Sequence, residues 1–166
     1  MTSFKAITEL PFGLPGAVFR SPLPYGAFDT RQTALQEWHE AGVKVVYSLI
    51  QAHEWEEKAR VDVRPLLQAA GIQRVDYPIE DFWVPREPAE FQAMAGEALR
   101  VSGEGSPIAI HCNAGWGRTG LFITEMAIQH FGFDVHRAVT WIRQFVPPAV
   151  ENTDQYQFLL TLHPAE

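Results

Sequence analysis

The stretch Pro107-Ile108-Ala109-Ile110-His111-Cys112-Asn113-Ala114-Gly115-Trp116-Gly117-Arg118-Thr119-Gly120 decides the fold. Its first five residues form a short apolar run of strand length, suited to a strand buried on both faces. A glycine-containing loop follows, and a helix is expected over about Thr119–Phe131. Strands alternating with helices imply a parallel sheet covered by helices. In such sheets ligands bind beyond the carboxyl ends of the strands, where Cys112 falls.

Working outward, Val43–Ile50 is a mostly apolar, β-branched run that predicts a second buried parallel strand, and Ile72–Tyr77 predicts a third. Helices are expected from a cap at Asp29 or Thr30 to Glu40, and over His53–Arg60, Val63–Ala70 and Pro88–Val101. Two more follow over Asp134–Phe145 and Asn152–Leu162, with Asn152 or Thr153 capping the last. The first 28 residues, rich in Pro and Gly, read as irregular chain with short strands at Ala6–Leu10 and Ala17–Arg20. The fold class is therefore α/β, a central and mostly parallel sheet flanked by helices.

The 166 residues suffice for one core, and no repeat, low-complexity tract or linker divides them, so a single domain over 1–166 is expected. A formal charge of −7 argues against nucleic acid or anionic membrane as the main partner, since both require a basic surface. No apolar run reaches bilayer length and the start, Met1 to Glu9, lacks a signal-peptide pattern, which points to the cytoplasm. Cys112 is the sole cysteine, which excludes an intrachain disulfide and argues against a cysteine-based metal site. No metal or cofactor is expected.

A loop between a buried strand and a helix start can turn several backbone N–H groups inward, beside the helix's own unpaired donors and positive dipole end. Asn113, Ala114, Gly115, Trp116 and Gly117 would supply these amides, the glycines permitting close approach of a ligand. Arg118 adds a planar fork matched to two phosphate oxygens. Together they form a cradle for a dianion. A cysteine at its floor would be a thiolate at neutral pH, because helix N-termini and cations lower the cysteine pKa from its free value of about 8.5. Thr119 is placed to donate its hydroxyl to the sulfur, and His111 to order the loop through its ring nitrogens. Gly115-x-Gly117-x-x-Gly120, with Asp134 downstream, also matches a dinucleotide-binding pattern. That motif opens the first strand–helix unit of its fold, and Asp134 precedes a helix instead of ending a strand, so this reading is set aside.

His111-Cys112-x5-Arg118-Thr119 resembles the active-site motif of the protein tyrosine phosphatase superfamily. The motif lies two-thirds along a short chain, which is most similar to the small dual-specificity-like branch. The low-molecular-weight branch carries its cysteine near the N-terminus, and the Lys-Asn-Arg-Tyr segment of the large tyrosine-specific domains is absent. The order of strands and helices resembles the family from about Val18 onward, and Leu14–Pro24 resembles the usual entry to its domains.

The resemblance implies a phosphocysteine mechanism: Cys112 as nucleophile, Arg118 and the loop amides on the phosphate oxygens, and an Asp on an upstream loop as acid, then base. Asp81, followed by Pro85, fits that position, with Glu80 as its rival. Substrates would be phosphotyrosine, and beyond it phosphoserine or phosphothreonine, in proteins, or small phosphorylated molecules. Inositol phosphates or phosphoinositides are the alternative with the same chemistry, and a non-catalytic phosphate-binding relative or a rhodanese- or arsenate-reductase-like protein lies further off. Trp83 and Trp116 are candidate walls of the pocket mouth. His53-Glu54-x-Glu56-Glu57 lacks the second His of a zinc helix and reads as a solvated helix face.

Overall fold

The structure, a computed structural model, describes residues 5–165. The expectation drawn from the start of the chain lies partly outside them, at residues 1–4. Five strands form one sheet in the order β1-β2-β5-β3-β4. β1 (Thr8–Leu10) pairs antiparallel with β2 (Val18–Ser21). β3 (Val45–Ser48), β4 (Gln73–Asp76) and β5 (Ile108–His111) complete a parallel array with β2. β5 lies between β2 and β3, with His111 in register with Ser21 on one side and Ser48 on the other. All four β5 residues are buried, as a strand covered on both faces requires.

Seven helices appear among the described residues: α1 (Ala34–Glu40), α2 (Glu54–Glu57), α3 (Arg64–Ala69), α4 (Pro88–Gly103), α5 (Gly117–Phe131), α6 (Val135–Arg143) and α7 (Thr153–Leu162). α5 is the hub. It packs on β2 and β5 and is surrounded by α4, α6 and α7, so every residue from Gly117 to Ile128 is buried. Such a helix cannot be amphipathic, and Leu121, Phe122, Ile123, Met126, Ala127 and Ile128 carry apolar side chains around its whole circumference. Gly132 then closes it in the left-handed conformation. No helix among the described residues is long and apolar enough to cross a membrane.

Two helices differ clearly from expectation: α2 spans only Glu54–Glu57 of the expected His53–Arg60, and α1 starts late. α1 begins at Ala34 and not beside Asp29 or Thr30. The buried Asp29 carboxylate instead accepts hydrogen bonds from the backbone N–H groups of Tyr25, Thr33 and Ala34. It caps the helix from a turn away, because residues 29–32 first make a tight bend that puts Gln32 at φ 57°. Asp134, by contrast, is a helix cap, its carboxylate accepting from Arg137 N at 2.7 Å, which disposes of a nucleotide role. Asp29→Ala strands several buried donors at once and is expected to lower unfolding stability by about 2 kcal/mol. Urea denaturation would register this as a lower midpoint with an unchanged slope.

Candidate active site

β5 delivers Cys112 to the end of the sheet, and α5 starts five residues later. The loop between them is pinned from outside by its carbonyl oxygens. Asn113 O accepts from Leu23 N at 3.0 Å, Ala114 O from Arg20 Nη2 at 3.0 Å, and Gly115 O from Arg20 Nε at 3.2 Å. A trans peptide points its N–H opposite to its C=O. Three successive carbonyls drawn outward therefore turn the N–H groups of Ala114, Gly115 and Trp116 the other way, to the side of Cys112. Gly115 is indispensable here: its φ is +81°, and a Cβ would lie 2.5 Å from Arg20 Nη2 and Ser21 O.

Arg118 and Glu54 form the centre of the site. Both are only 1% exposed. Arg118 Nη1 donates to Glu54 Oε2 at 2.7 Å and Nη2 to Glu54 Oε1 at 2.9 Å, a two-pronged pair. Nη1 also donates to Ile79 O at 3.0 Å, and Glu54 Oε2 accepts from Gln51 N at 2.7 Å. Burial pushes the Glu54 pKa up, but the Arg118 and Gln51 hydrogen bonds outweigh it and the net shift is downward. Burial lowers that of Arg118, but the Glu54 hydrogen bonds and the charges of Cys112, Glu54 and Asp81 outweigh it and the net shift is upward. Glu54 is thus no solvated helix face, contrary to the sequence expectation. Its neighbours His53, Glu56 and Glu57 are the exposed members of that segment.

His111 supports the loop from below. It is buried between Trp38 and Trp55, with ring centroids 5.6 and 5.3 Å away. Its Nδ1 lies 2.9 Å from Cys112 O, and since a carbonyl can only accept, Nδ1 carries the proton. Burial pushes its pKa down to about 4, so the ring is neutral at pH 7. Thr119 departs from expectation. Its hydroxyl is buried without a hydrogen-bond partner and makes no bond to the Cys112 sulfur. Among the described residues, five buried side-chain polar atoms lack a partner, and three of them sit in this segment, on His111, Asn113 and Thr119.

A pocket of about 110 Å³ opens over the loop, lined by Cys112, Gly117, Arg118, Asp81, Trp116 and Glu151 among others. Asp81 Oδ1 stands 3.2 Å from Arg118 Nη2 and accepts from Phe82 N at 3.0 Å. Glu80 is exposed and lines a separate depression with Gln51 and Arg86. Trp116 lines the pocket, set edge-on to Phe28 at 5.0 Å. Trp83 does not. Phe82, 64% exposed and at φ 61°, takes the wall position beside Asp81 instead.

The carboxyl-terminal segment holds the Asp81 loop in place. Asn152 Oδ1 caps α7 through Gln155 N, while its Nδ2 donates to Phe82 O at 2.9 Å. Gln155 Nε2 reaches Trp83 O at 3.3 Å. Asn152 thus caps, as expected, and also latches. Glu151 brings a second carboxyl to the pocket, close enough to Gly117 that a Cβ there would collide with it. Partial burial and the nearby Asp81 raise its pKa, against the pull of Arg118. Its signal in the sequence was slight, a lone acid ahead of a helix cap. Among the described residues no group of three or more His, Cys, Asp or Glu is arranged to hold a metal ion.

Cys112 and Arg118 lie on one strand-to-helix turn and face Asp81 across a small pocket. The protein-tyrosine phosphatase family model matches residues 27–164, and the chain belongs to that family. It is 38% identical over 100 residues to human tyrosine-protein phosphatase non-receptor type 18, covering 53% of this chain and 21% of that protein. Against the tyrosine-protein phosphatase CDC14 of Saccharomyces cerevisiae the identity is 32% over 90 residues, 54% of this chain and 16% of the other. The chain thus matches only a minor part of the length of these relatives. Its fold is that of the small dual-specificity-like enzymes. The solved structure of kinase associated phosphatase superposes at a TM-score of 0.81, with 19% identity over 100% of both chains. That of human DUSP28 gives 0.69, with 13% identity over 96% of this chain and 94% of the other.

Two outcomes are expected from the support around the loop. His111 stays neutral when folded down to pH 4, whereas in the unfolded chain it takes a proton near its ordinary value of 6.5. Its contribution, roughly 3 kcal/mol, is therefore present above pH 6.5 and lost as pH falls toward 4. Denaturation midpoints measured across this window should fall more steeply for the parent than for His111→Asn; parallel curves would contradict the assignment. Glu54→Gln leaves the Arg118 charge buried without its counter-ion, at a cost of about 3 kcal/mol in stability. Vanadate binding, followed by calorimetry, should weaken with it.

Proposed function

We propose that the chain hydrolyses phosphomonoesters through a phosphocysteine intermediate. Its preferred targets are proteins phosphorylated on tyrosine, extending to serine and threonine. The observation that carries this reading is one pocket in which Cys112, Arg118 and Asp81 meet while Glu80 stays outside. The Cys112 thiolate attacks phosphorus, and the bond from phosphorus to the leaving oxygen breaks as Asp81 hands that oxygen its proton. Water then attacks phosphorus, Asp81 takes a proton from it, and the S–P bond breaks to release phosphate and the thiolate. Throughout, Arg118 and the amides of residues 113–117 hold the equatorial oxygens, a preorganised electrostatic contribution. Thr119, without a partner at rest, has its hydroxyl available for the departing sulfur as charge returns to it.

Glu151 has a role of its own in this scheme. A carboxylate beside a dianion site repels the substrate, and a raised pKa lets Glu151 take up a proton as the phosphate arrives. Trp116 and Phe82 provide apolar contact for an aryl group. A net charge of −7 supports substrates other than nucleic acid or membrane surface, and a free cysteine suits the reducing cytoplasm. Inositol phosphates are the second reading, favoured by the cavity beside the pocket, whose lining includes Lys5, Arg20 and Arg31 along with Asp29.

Hydrolysis of p-nitrophenyl phosphate should be blocked by vanadate, survive EDTA and vanish in Cys112→Ser. Full activity in that variant would sink the mechanism. Asp81→Asn should lower kcat by about 100-fold with little change in KM, since only the transition state feels the lost proton. Glu151→Gln removes the repulsion without the bulk, so KM for the dianion should fall at pH above 7; an unchanged KM would remove Glu151 from the scheme.

A further inference from the structure

The segment just ahead of β1 lies beside the phosphate cradle, clasped by a side chain that takes no part in the chemistry. Glu37, on α1, accepts from Ala6 N with both carboxylate oxygens at 3.0 Å, and its Oε2 also accepts from the Thr33 hydroxyl at 2.7 Å. The carbonyl of the same residue, Ala6 O, accepts from Arg20 Nη1 at 2.9 Å. Arg20 Nε and Nη2 continue to Gly115 O and Ala114 O. An unbroken chain of hydrogen bonds thus runs from a helix outside the sheet, through Ala6 and Arg20, to the loop that follows Cys112.

A guanidinium is a rigid planar fork, so its donors cannot be aimed independently. The bond from Nη1 to Ala6 O fixes the plane in which Nε and Nη2 meet the loop. With that plane fixed, the carbonyls of Ala114 and Gly115 are drawn outward, and the N–H groups of Gly115 and Trp116 face Cys112. Burial lowers the Arg20 pKa and the charge of Cys112 opposes that fall, so the guanidinium and the sulfur also interact through space. β1 is a three-residue edge strand paired only with β2, and Ala6 lies outside it. The sheet alone therefore does not hold Ala6; Glu37 supplies the missing anchor.

We propose that Arg20 is a positioning residue of the phosphate cradle and that Glu37 acts on it at one remove, by clasping Ala6. The proposal rests on the reading of the Cys112 pocket as catalytic. Neither residue touches the reacting atoms; both act on the direction of the amides at 115 and 116. The consequence is a control point remote from the pocket. Lifting the segment around Ala6 away from α1 slackens the amides and weakens oxyanion binding without obstructing the site.

Tungstate binding, followed by calorimetry, reads the cradle without turnover, and amide NMR reads the loop directly. Arg20→Ala and Arg20→Lys should each weaken tungstate by about ten-fold, less than the loss of a whole donor would cost in rate. Free methylguanidinium, entering through the 370 Å³ cavity that Arg20 lines, should restore affinity to Arg20→Ala and leave the parent unchanged. Glu37→Ala should weaken tungstate by about three-fold and shift the amide resonances of residues 115 and 116. Glu37→Gln, which keeps a side-chain acceptor for Ala6 N, should recover most of that loss. In a double-mutant cycle Glu37→Ala should cost nothing further once Arg20 is replaced by alanine. Where Arg20→Ala does not fold, Arg20→Lys takes its place in the cycle. Full additivity, or unmoved resonances at 115 and 116 in Glu37→Ala, would overturn the coupling. A lower urea midpoint with unchanged tungstate affinity in the Arg20 variants would reduce Arg20 to a structural residue and overturn the proposal. Failure of the catalytic reading is distinct, since the parent would then bind tungstate and leave p-nitrophenyl phosphate intact.

Discussion

The Arg118 guanidinium and the Glu54 carboxylate bury one another, and the rest of the site is arranged around that pair. Two charges removed from water cost several kcal/mol each, and their attraction offsets this only when geometry is good and the remaining donors and acceptors are satisfied. Here the satisfying partners come from elsewhere in the sheet: Gln51 N, just beyond β3, and Ile79 O, just beyond β4. The pair therefore ties the ends of two strands to the helix that follows a third. It also immobilises the guanidinium. With Nη1 committed to Glu54 and Ile79, the fork that faces the pocket is held in one orientation, and Asp81 is drawn to Nη2. An arginine so fixed loses little entropy on meeting phosphate, which is the physical content of preorganisation.

The cysteine loop obeys the same logic with its backbone. An isolated loop would leave its carbonyls to water and its amides in any direction. Arg20, anchored on β2, gathers two of those carbonyls, and Leu23 takes a third. The strand that neighbours β5 in the sheet thus shapes the cradle without touching its ligand. Strain accompanies the arrangement. Phe82 and Val150 both occupy the left-handed region, and each directly precedes or follows a carboxylate of the pocket, Glu151 and Asp81. A β-branched residue there is costly, on the order of 1–3 kcal/mol, and persists only because surrounding contacts over-determine it. Asn152 and Gln155, bonding the Phe82 and Trp83 carbonyls, are among those contacts.

Elements with a strong period were legible in the sequence because their physics is local. The buried run of β5, the capped helices α6 and α7, and the strand–loop–helix around Cys112 follow from pattern and turn chemistry alone. That Cys112 and Arg118 would share one pocket was legible from their spacing on a single loop, whereas Asp81 was singled out only by the resemblance to the family. Glu54 was not. In a run of four residues holding three glutamates, nothing local says which one turns inward; that is decided by Arg118, 64 residues away. Trp83 failed for a related reason. Its neighbour Phe82 adopts a positive φ, which swaps the side chain that faces the pocket, and a phenylalanine gives no warning of that conformation. Thr119 shows the limit for hydroxyls, since adjacency in sequence does not fix where a rotor points.

The inward choice at Glu54 also shapes the charge around the pocket. Arg118 at the base of the pocket is neutralised by a buried partner, so the net charge at the mouth is set by groups at its rim. Asp81 and Glu151 bring carboxylates to one side, and Arg20, which donates to the carbonyls of Ala6, Ala114 and Gly115, brings a guanidinium to the other. Had Arg20 been paired with an acid, as Arg118 is, the loop would be held equally well but the two sides would differ far less. Holding the loop through neutral oxygens leaves the structural charge available to a substrate. The residue that shapes the cradle also polarises its surroundings.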